Sequence, residues 1–505
     1  MLGPGCVPVP MAPMKIWALL WGLITNLLWP SMANVPQVWG YPLVGMLPLI
    51  LGGEFFSRGL SDLFERARDA GISASSLGTF PLVYIRDPSI LHQVFVDNAD
   101  KVARVTPQGY GPFGILKRTA GELVVTSHGH DWRRWRKGIL TEFSSSTSLK
   151  ESYKGIFNIA QRHVQRMRDD SEASTLHLRQ VMEDYALDTA WYVAAGVQNT
   201  SEDTKDFLRP LQRMVDILPN ATHLFWHALH NFMRGKSYTE PDEVEKRLGY
   251  DILESIKNYL RTHLDNPGEK RPGESRYSFL QKVSQQSGGT ADSPITPDVL
   301  SQAAQVYTFG HEASELLLFW AVFELSQHPD VLQRLRQELG TKATSSWDLE
   351  YDDIRTMPYL DAVVTELLRL HPPISTTTRL VTEPILVKTR TGDTVVIPQG
   401  AQIYSSVHRL HRDEQVWGGD ANEFNPDRWT GQPRNEAENR CHFVPFLTGP
   451  RGCPSSGFVL LQLKVLLAVL FFSYNISLPE SKSLGVKVGA IVEPTKALKF
   501  KLNQS

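Results

Sequence analysis

The chain has 505 residues, 42% hydrophobic, 10% aromatic and 21% charged, a composition with enough apolar surface for a large core and well outside the disordered class. A formal net charge of -2 without a long basic run gives no field that gathers nucleic acid, so nucleic acid is not an expected partner. The three cysteines, Cys6, Cys441 and Cys453, are too few and scattered for a disulfide framework and fit a reduced, cytosol-facing protein.

The N-terminus differs from the rest. "IWALLWGLITNLLW", Ile16 to Trp29, is 14 residues without a charge, and no charged residue stands between Lys15 and Glu54. A perpendicular spanning helix needs about 20 apolar residues, so the run is read as a signal anchor, followed by a Pro/Gly hinge and a second, membrane-dipping run, "LVGMLPLIL". A cleaved signal peptide is the competing reading, with a weak cleavage site in "SMANVP". Residues 1–35 are thus expected to be anchor and hinge, and 36–505 a single domain, because no Ser/Gly linker or charge run divides them. Sequons at Asn199, Asn220, Asn475 and Asn503 matter only for a lumenal chain.

From about residue 55 the pattern is mostly helical. "PLVYIRD" (81–87) reads as a strand. "WRRWR" (132–136) places Trp132 and Arg136 four apart, on one helical face, with Arg133, Arg134 and Lys137 pointing elsewhere. Two loops rich in Gly and Pro precede "ITPDVLSQAAQVYTFGHEASELLLFWAVFELSQHPD", where Thr296 can cap, Pro297 suits the first helical position and the next proline is Pro329. That predicts a helix of about 30 residues and ~45 Å, apolar on most faces and so inside the core. "ELLR" (366–369) follows, then "ILVKTRTGDTVVIP" with a Thr-Gly-Asp turn at 391–393, "FNPDRW" (424–429), and short strands in "KVGAIVEPTKALKFKL". The expected class is mainly α with a small β part.

Near the C-terminus "FVPFLTGPRGCPSSG" (443–457) sets Cys453 in a tight loop ahead of the apolar run "GFVLLQLKVLLAVLFF". Cysteine binds a metal as the thiolate, which nearby positive charge or N–H groups must stabilise. The helix start behind Cys453 offers N–H groups and a positive dipole end. Gly449 and Gly452 let the backbone approach a flat cofactor, and Arg451 can meet a carboxylate. Without a C-x-x-C pair or a second clustered ligand, zinc fits poorly. The plain alternative is a buried free cysteine packed as a small hydrophobe.

"FLTGPRGC" (Phe446 to Cys453) resembles the cysteine loop of the cytochrome P-450 family, F-x-x-G-x-R-x-C-x-G. In the family's order, "WRRWR" is similar to its W-x-x-x-R, "FGHEAS" (309–314) to its A-G-x-E-T-T, "ELLR" to its E-x-x-R and "FNPDRW" to its F-x-P-x-R-W; "VWGYPLVGMLP" resembles the segment behind the anchor of microsomal members. The resemblance implies the family's single haem domain over 36–505. It makes Cys453 the axial thiolate of haem b, with Trp132, Arg136, Arg379, Phe446, Gly449 and Arg451 as haem contacts and Glu366, Arg369 and Arg428 as a buried supporting network. Phe309, Glu312, Ala313 and Ser314 fall at the oxygen-activating positions. The implied reaction puts one oxygen atom of O2 into an apolar small molecule, with electrons from NADPH through a flavoprotein reductase that the exposed basic residues of 133–137 could dock.

The same resemblance implies membrane lipid contact, an endoplasmic reticulum location with the catalytic domain facing the cytosol, and a tailoring role in fungal secondary metabolism. Substrate walls are expected from 102–120, 218–232, Tyr307, Thr308, 374–378 and 489–492. The chain departs from the pattern at Ser455, where the family has its last loop glycine, at Ala313, where it has threonine, and at Phe309, where it has a small residue. Besides a monooxygenase, a peroxide-using, dehydrating or rearranging haem-thiolate enzyme and a non-catalytic haem sensor are the readings to separate.

Overall fold

In the computed structural model the described residues are 58–77, 80–104, 123–171, 177–195, 296–431, 434–478, 484–489 and 491–504, with 32, 35–38, 117 and 254 besides. They form two units, each built from separated stretches. One takes the described residues up to Arg104 and Thr378–Ser406, the other those from Lys117 to Thr377 and from Val407 onward. Neither unit is continuous in sequence, so no linker could mark them.

A five-stranded sheet dominates the first unit. Its strands are β1 (Ile72–Leu77), β2 (Phe80–Ile85), β3 (Val102–Ala103), β4 (Thr376–Val381) and, beyond a hairpin of β5 (Ile385–Lys388) and β6 (Thr394–Ile397), β7 (Gln402–Ser406). The spatial order is β1-β2-β7-β4-β3. The hairpin obeys its sequence pattern: Ile385 and Val387 are buried while Leu386 and Lys388 are exposed, and the turn places Gly392 at φ 89, a region open to glycine. Helix α1 (Leu60–Arg66) lays Leu60, Leu63 and Phe64 against Leu82 and Tyr84. Strand β1, "ISASSL", had no strand signature. Its serines are nonetheless buried, and Ser73 Oγ donates to the Leu63 carbonyl at 2.7 Å, satisfying a hydroxyl that would otherwise oppose burial.

The second unit is helical. Its main helices are α2 (Gly129–Ser144), α3 (Ser146–Ser171), α4 (Leu178–Ala195), α5 (Pro297–Gln327), α6 (Pro329–Lys342), α7 (Pro358–Leu370) and α8 (Ser456–Ser473). Helix α5 begins as its sequence requires, with Thr296 accepting from the Val299 N–H and Pro297 in the first turn, and its 31 residues match the expected length. From Ser314 to Val322 every residue is buried, so this stretch has no solvent-exposed face and runs inside the core, packed along α4. Helix α8 is similarly apolar. It is the one helix among the described residues with the length and hydropathy to cross a membrane, but 67% of it is buried in the core.

Two glycines set helix distances. A Cβ on Gly155 of α3 would sit 2.0 Å from the Tyr192 ring of α4, and one on Gly457 of α8 would sit 2.9 Å from the Phe143 carbonyl oxygen of α2. The second approach brings the start of α8 onto the end of α2. The C-terminal strands β8 (Tyr474–Ser477), β9 (Val486–Val488), β10 (Val492–Pro494) and β11 (Lys501–Gln504) form two antiparallel pairs, β8 with β11 and β9 with β10. The proposed anchor of residues 1–35 and the walls expected at 105–116 and 218–232 lie outside the described residues, apart from the isolated positions given above.

Candidate functional site

The loop before α8 is folded back on itself by its own backbone. Cys453 N–H donates to the Phe446 carbonyl at 2.7 Å and Gly452 N–H to that of Gly449 at 3.0 Å. Gly449 stands at φ 72, which explains a glycine at this place of the motif. Leu447 holds φ 62, a conformation that costs a non-glycine residue about 1–3 kcal/mol and that the surrounding bonds must enforce. A Cβ on Gly452 would press the Gly449 oxygen at 3.3 Å. Cys453 is thereby presented as a half-buried free thiol just ahead of an 18-residue helix.

Helix α2 supplies the positive charge. Arg136 Nη1 donates to the Gly452 carbonyl at 2.7 Å, and Arg451 Nη1 donates to the Ser127 carbonyl at 3.0 Å while its guanidinium lies 4.0 Å from the centre of the Trp132 ring. Burial lowers the Arg136 guanidinium from its ordinary value, and the charge of the Cys453 sulfur opposes that. Trp132 and Arg136 are half-buried on one face, whereas Arg133, Arg134 and Lys137 are exposed. Arg379 belongs to the other unit, where it donates to the Thr378 carbonyl at 2.8 Å and lies over the Phe95 ring.

The expected Glu366 network forms around a saturated guanidinium. Arg369 directs its Nε and Nη2 to the Glu366 carboxylate at 2.8 and 2.7 Å, and its remaining bonds go to the carbonyls of His411, Ala421 and Glu423. Both guanidiniums reach the Glu366 carboxylate. Arg428 Nε is 3.5 Å from Glu366 Oε1, but its firm partner is Asp420, at 2.7 Å. Glu366 also accepts from Trp429 Nε1 and the Asn425 N–H, at 2.9 and 3.0 Å.

Sequence reasoning missed the link from this network to the cysteine loop. His411 is fully buried, its Nδ1 lies 3.1 Å from the Arg369 carbonyl, and its Nε2 accepts the Val444 N–H at 2.8 Å. Burial, with the Arg369 charge beside it, pushes its pKa down to about 3, so the ring is neutral, with the proton on Nδ1 and the lone pair facing Val444. Also missed was Glu315 on α5, buried against Arg179 at 2.6 Å and pushed up to about 7 by burial; Arg179 in turn reaches Glu493 of β10 at 3.8 Å. Only the residue types, with no local motif, could have signalled these long-range pairs.

On α5, Glu312 and Ala313 are half-buried and Ser314 is buried. The Ser314 hydroxyl has no hydrogen-bond partner among the described residues. The side chains of Phe309, Tyr307 and Thr308 lie outside those described. Ser375 donates to the Gly489 carbonyl, and Val492 N–H to that of Pro373 at 3.0 Å, so the stretches at 374–377 and 489–492 meet.

A family model, Cytochrome P450, matches residues 36–502. The chain belongs to the cytochrome P450 family. This P450 is similar to Cytochrome P450 3A6 of Oryctolagus cuniculus, with 26% identity over 446 residues covering 84% of this chain and 83% of that protein. It is 26% identical over 464 residues to Cytochrome P450 monooxygenase claP of Ampulloclitocybe clavipes, covering 83% and 84%, and 34% identical to claU of the same organism over 198 residues, 36% of each. The family is one of oxidoreductases, monooxygenases carrying haem on a cysteine thiolate and using a redox partner. The donor set of this P450 fits such a group: one thiol among guanidiniums, and no cluster of three or more His, Cys, Asp or Glu among the described residues to hold another metal.

Proposed function

We propose that Cys453 is the axial thiolate ligand of haem b in a monooxygenase that inserts one atom of O2 into an apolar small molecule. The carrying observation is the loop itself: a half-buried free thiol just ahead of a helix, fixed by two backbone hydrogen bonds and bracketed by Arg136 and Arg451. The buried alternative, Cys441, has no comparable setting; its thiol contacts Thr448 Oγ1 at 3.8 Å. Bound there, haem supplies the oxidising centre, with two electrons from NADPH through a flavoprotein reductase and the second oxygen leaving as water.

The chain's own residues hold and tune. Trp132, Arg136, Phe446, Gly449 and Arg451 would surround the haem; the Arg369 network and His411 fix the segment that leads into the loop. Arg133, Arg134 and Lys137 form an exposed basic face suited to an acidic reductase surface. Glu312 is the acid for proton delivery on α5, with the Ser314 hydroxyl, which has no hydrogen-bond partner among the described residues, two positions on and Ala313 unable to contribute.

The uncharged run 16–53 supports an anchor in the endoplasmic reticulum membrane with the catalytic domain facing the cytosol, and access to lipid-partitioned substrates. Similarity to the cla monooxygenases of a fungus supports a tailoring step in fungal secondary metabolism, on a terpenoid, polyketide or alkaloid. Ala313 favours one second reading, a haem-thiolate enzyme that uses peroxide, dehydrates or rearranges without a hydroxyl relay. Reductase-reconstituted protein screened against lipid-soluble compounds separates them: substrate-dependent NADPH consumption with oxygenated product supports the monooxygenase, and turnover that ignores NADPH refutes it. In the oxygenase, Ala313→Thr should raise product formed per NADPH and Ser314→Ala lower it.

A further inference from the structure

Serine is among the preferred residues for capping a helix, because its hydroxyl can accept an N–H of the first turn. Ser455 stands at that place ahead of α8, with φ -105 and ψ 18, yet its side chain makes no capping bond. Its Oγ lies 3.4 Å from the Cys453 sulfur instead. Among the described residues this is the one side-chain hydrogen bond at that sulfur. Arg136 Nη1 donates to the Gly452 carbonyl, and Ser144 Oγ donates to the Pro454 carbonyl at 2.9 Å, which holds the turn between Cys453 and Ser455 in place.

A thiolate has no proton to give, so with Cys453 ionised the bond has one direction: the Ser455 hydroxyl donates and the sulfur accepts. No covalent bond forms or breaks, and the serine keeps its proton. A donor on a metal-bound sulfur withdraws electron density from it, which weakens donation to the metal and favours the reduced state.

We propose that Ser455, standing where the family pattern has a glycine, is a positioning residue that hydrogen-bonds the Cys453 thiolate and raises the reduction potential of the haem it carries, easing electron entry. The proposal rests on Cys453 being the ligand. The test is spectroelectrochemical titration of the substrate-free holoprotein, parent against Ser455→Gly, Ser455→Ala and Ser455→Thr, with the iron–sulfur stretching frequency read by resonance Raman.

Glycine and alanine should both shift the potential negative and raise the stretching frequency, while threonine, which keeps the hydroxyl, stays near the parent. Glycine is the residue the loop pattern accepts, so that variant guards against a folding defect in the others. A potential in Ser455→Gly equal to or above the parent's, with the thiolate-type spectrum intact, overturns the proposal. Survival of that spectrum in Cys453→Ser would instead overturn the ligand assignment beneath it.

Discussion

Replacing Glu366 by glutamine keeps the shape of the side chain and removes its charge. In the native protein Oε1 accepts from Arg369 Nη2 and the Asn425 N–H, and Oε2 from Arg369 Nε and Trp429 Nε1. An amide has one acceptor, so whichever way it turns, its NH2 faces two donors and leaves both without a partner. Each orphaned buried donor costs about 1–3 kcal/mol, and the fully buried Arg369 loses its counter-charge. Breaking a buried pair from one side costs about 3–5 kcal/mol, so the two estimates agree near 4 kcal/mol.

Urea unfolding of the haem-loaded chain is the assay, with absorbance of released haem as a second probe. The exposed pair Arg334–Asp427, with bonds of 2.6 and 2.8 Å, is the control; Asp427→Asn should cost under about 1 kcal/mol because solvent screens it. A Glu366→Gln loss as small as the control's would refute the argument that burial and saturation make this network strong.

Other substitutions and conditions test separate parts. Gly457→Ala puts a Cβ 2.9 Å from the Phe143 oxygen and should destabilise thermal unfolding by about 1–3 kcal/mol, whereas Gly340→Ala, exposed on α6 with open space, should stabilise by up to about 1 kcal/mol. His408 and His411 are held down to about 3 by burial from an ordinary 6.5, so the unfolded chain binds their protons first and each contributes a loss of about 1.4 kcal/mol per pH unit as pH falls from 6.5 toward 3. Glu315, raised to about 7 from 4.5, works the opposite way between those values. Stability measured against pH should therefore fall gently from 6.5 to 4.5 and more steeply below, where Glu315 no longer offsets the histidines; a profile flat to pH 4 would contradict this. Deleting the first 30 residues or so should weaken membrane association in a fractionation assay and leave haem binding intact; secretion of the full-length chain would sink the anchor.

What the sequence disclosed was local. Thr296 with Pro297 announces α5, Gly392 the hairpin, and "FLTGPRGC" the loop, because cap, turn and loop chemistry lie within a few neighbouring residues. Strand β1 was hidden because "ISASSL" has no strand character until β2 pairs with it and Leu63 accepts from Ser73. That Arg428 pairs with Asp420 besides Glu366 was hidden because Asp420 lies outside the motif, and His411 went unseen because its two bonds reach 42 and 33 residues along the chain. Motif spacing pointed to Cys453, Arg136 and Arg451 but gave no sign that Ser455 turns to the sulfur.

Function depends on which sulfur meets the iron. Carbon monoxide added to the reduced full-length protein reports it directly through the difference spectrum of the parent, Cys453→Ser and Cys441→Ser. The thiolate-type Soret band should vanish in Cys453→Ser and persist in Cys441→Ser; a band kept by the first variant, or lost by the second, contradicts the assignment of Cys453.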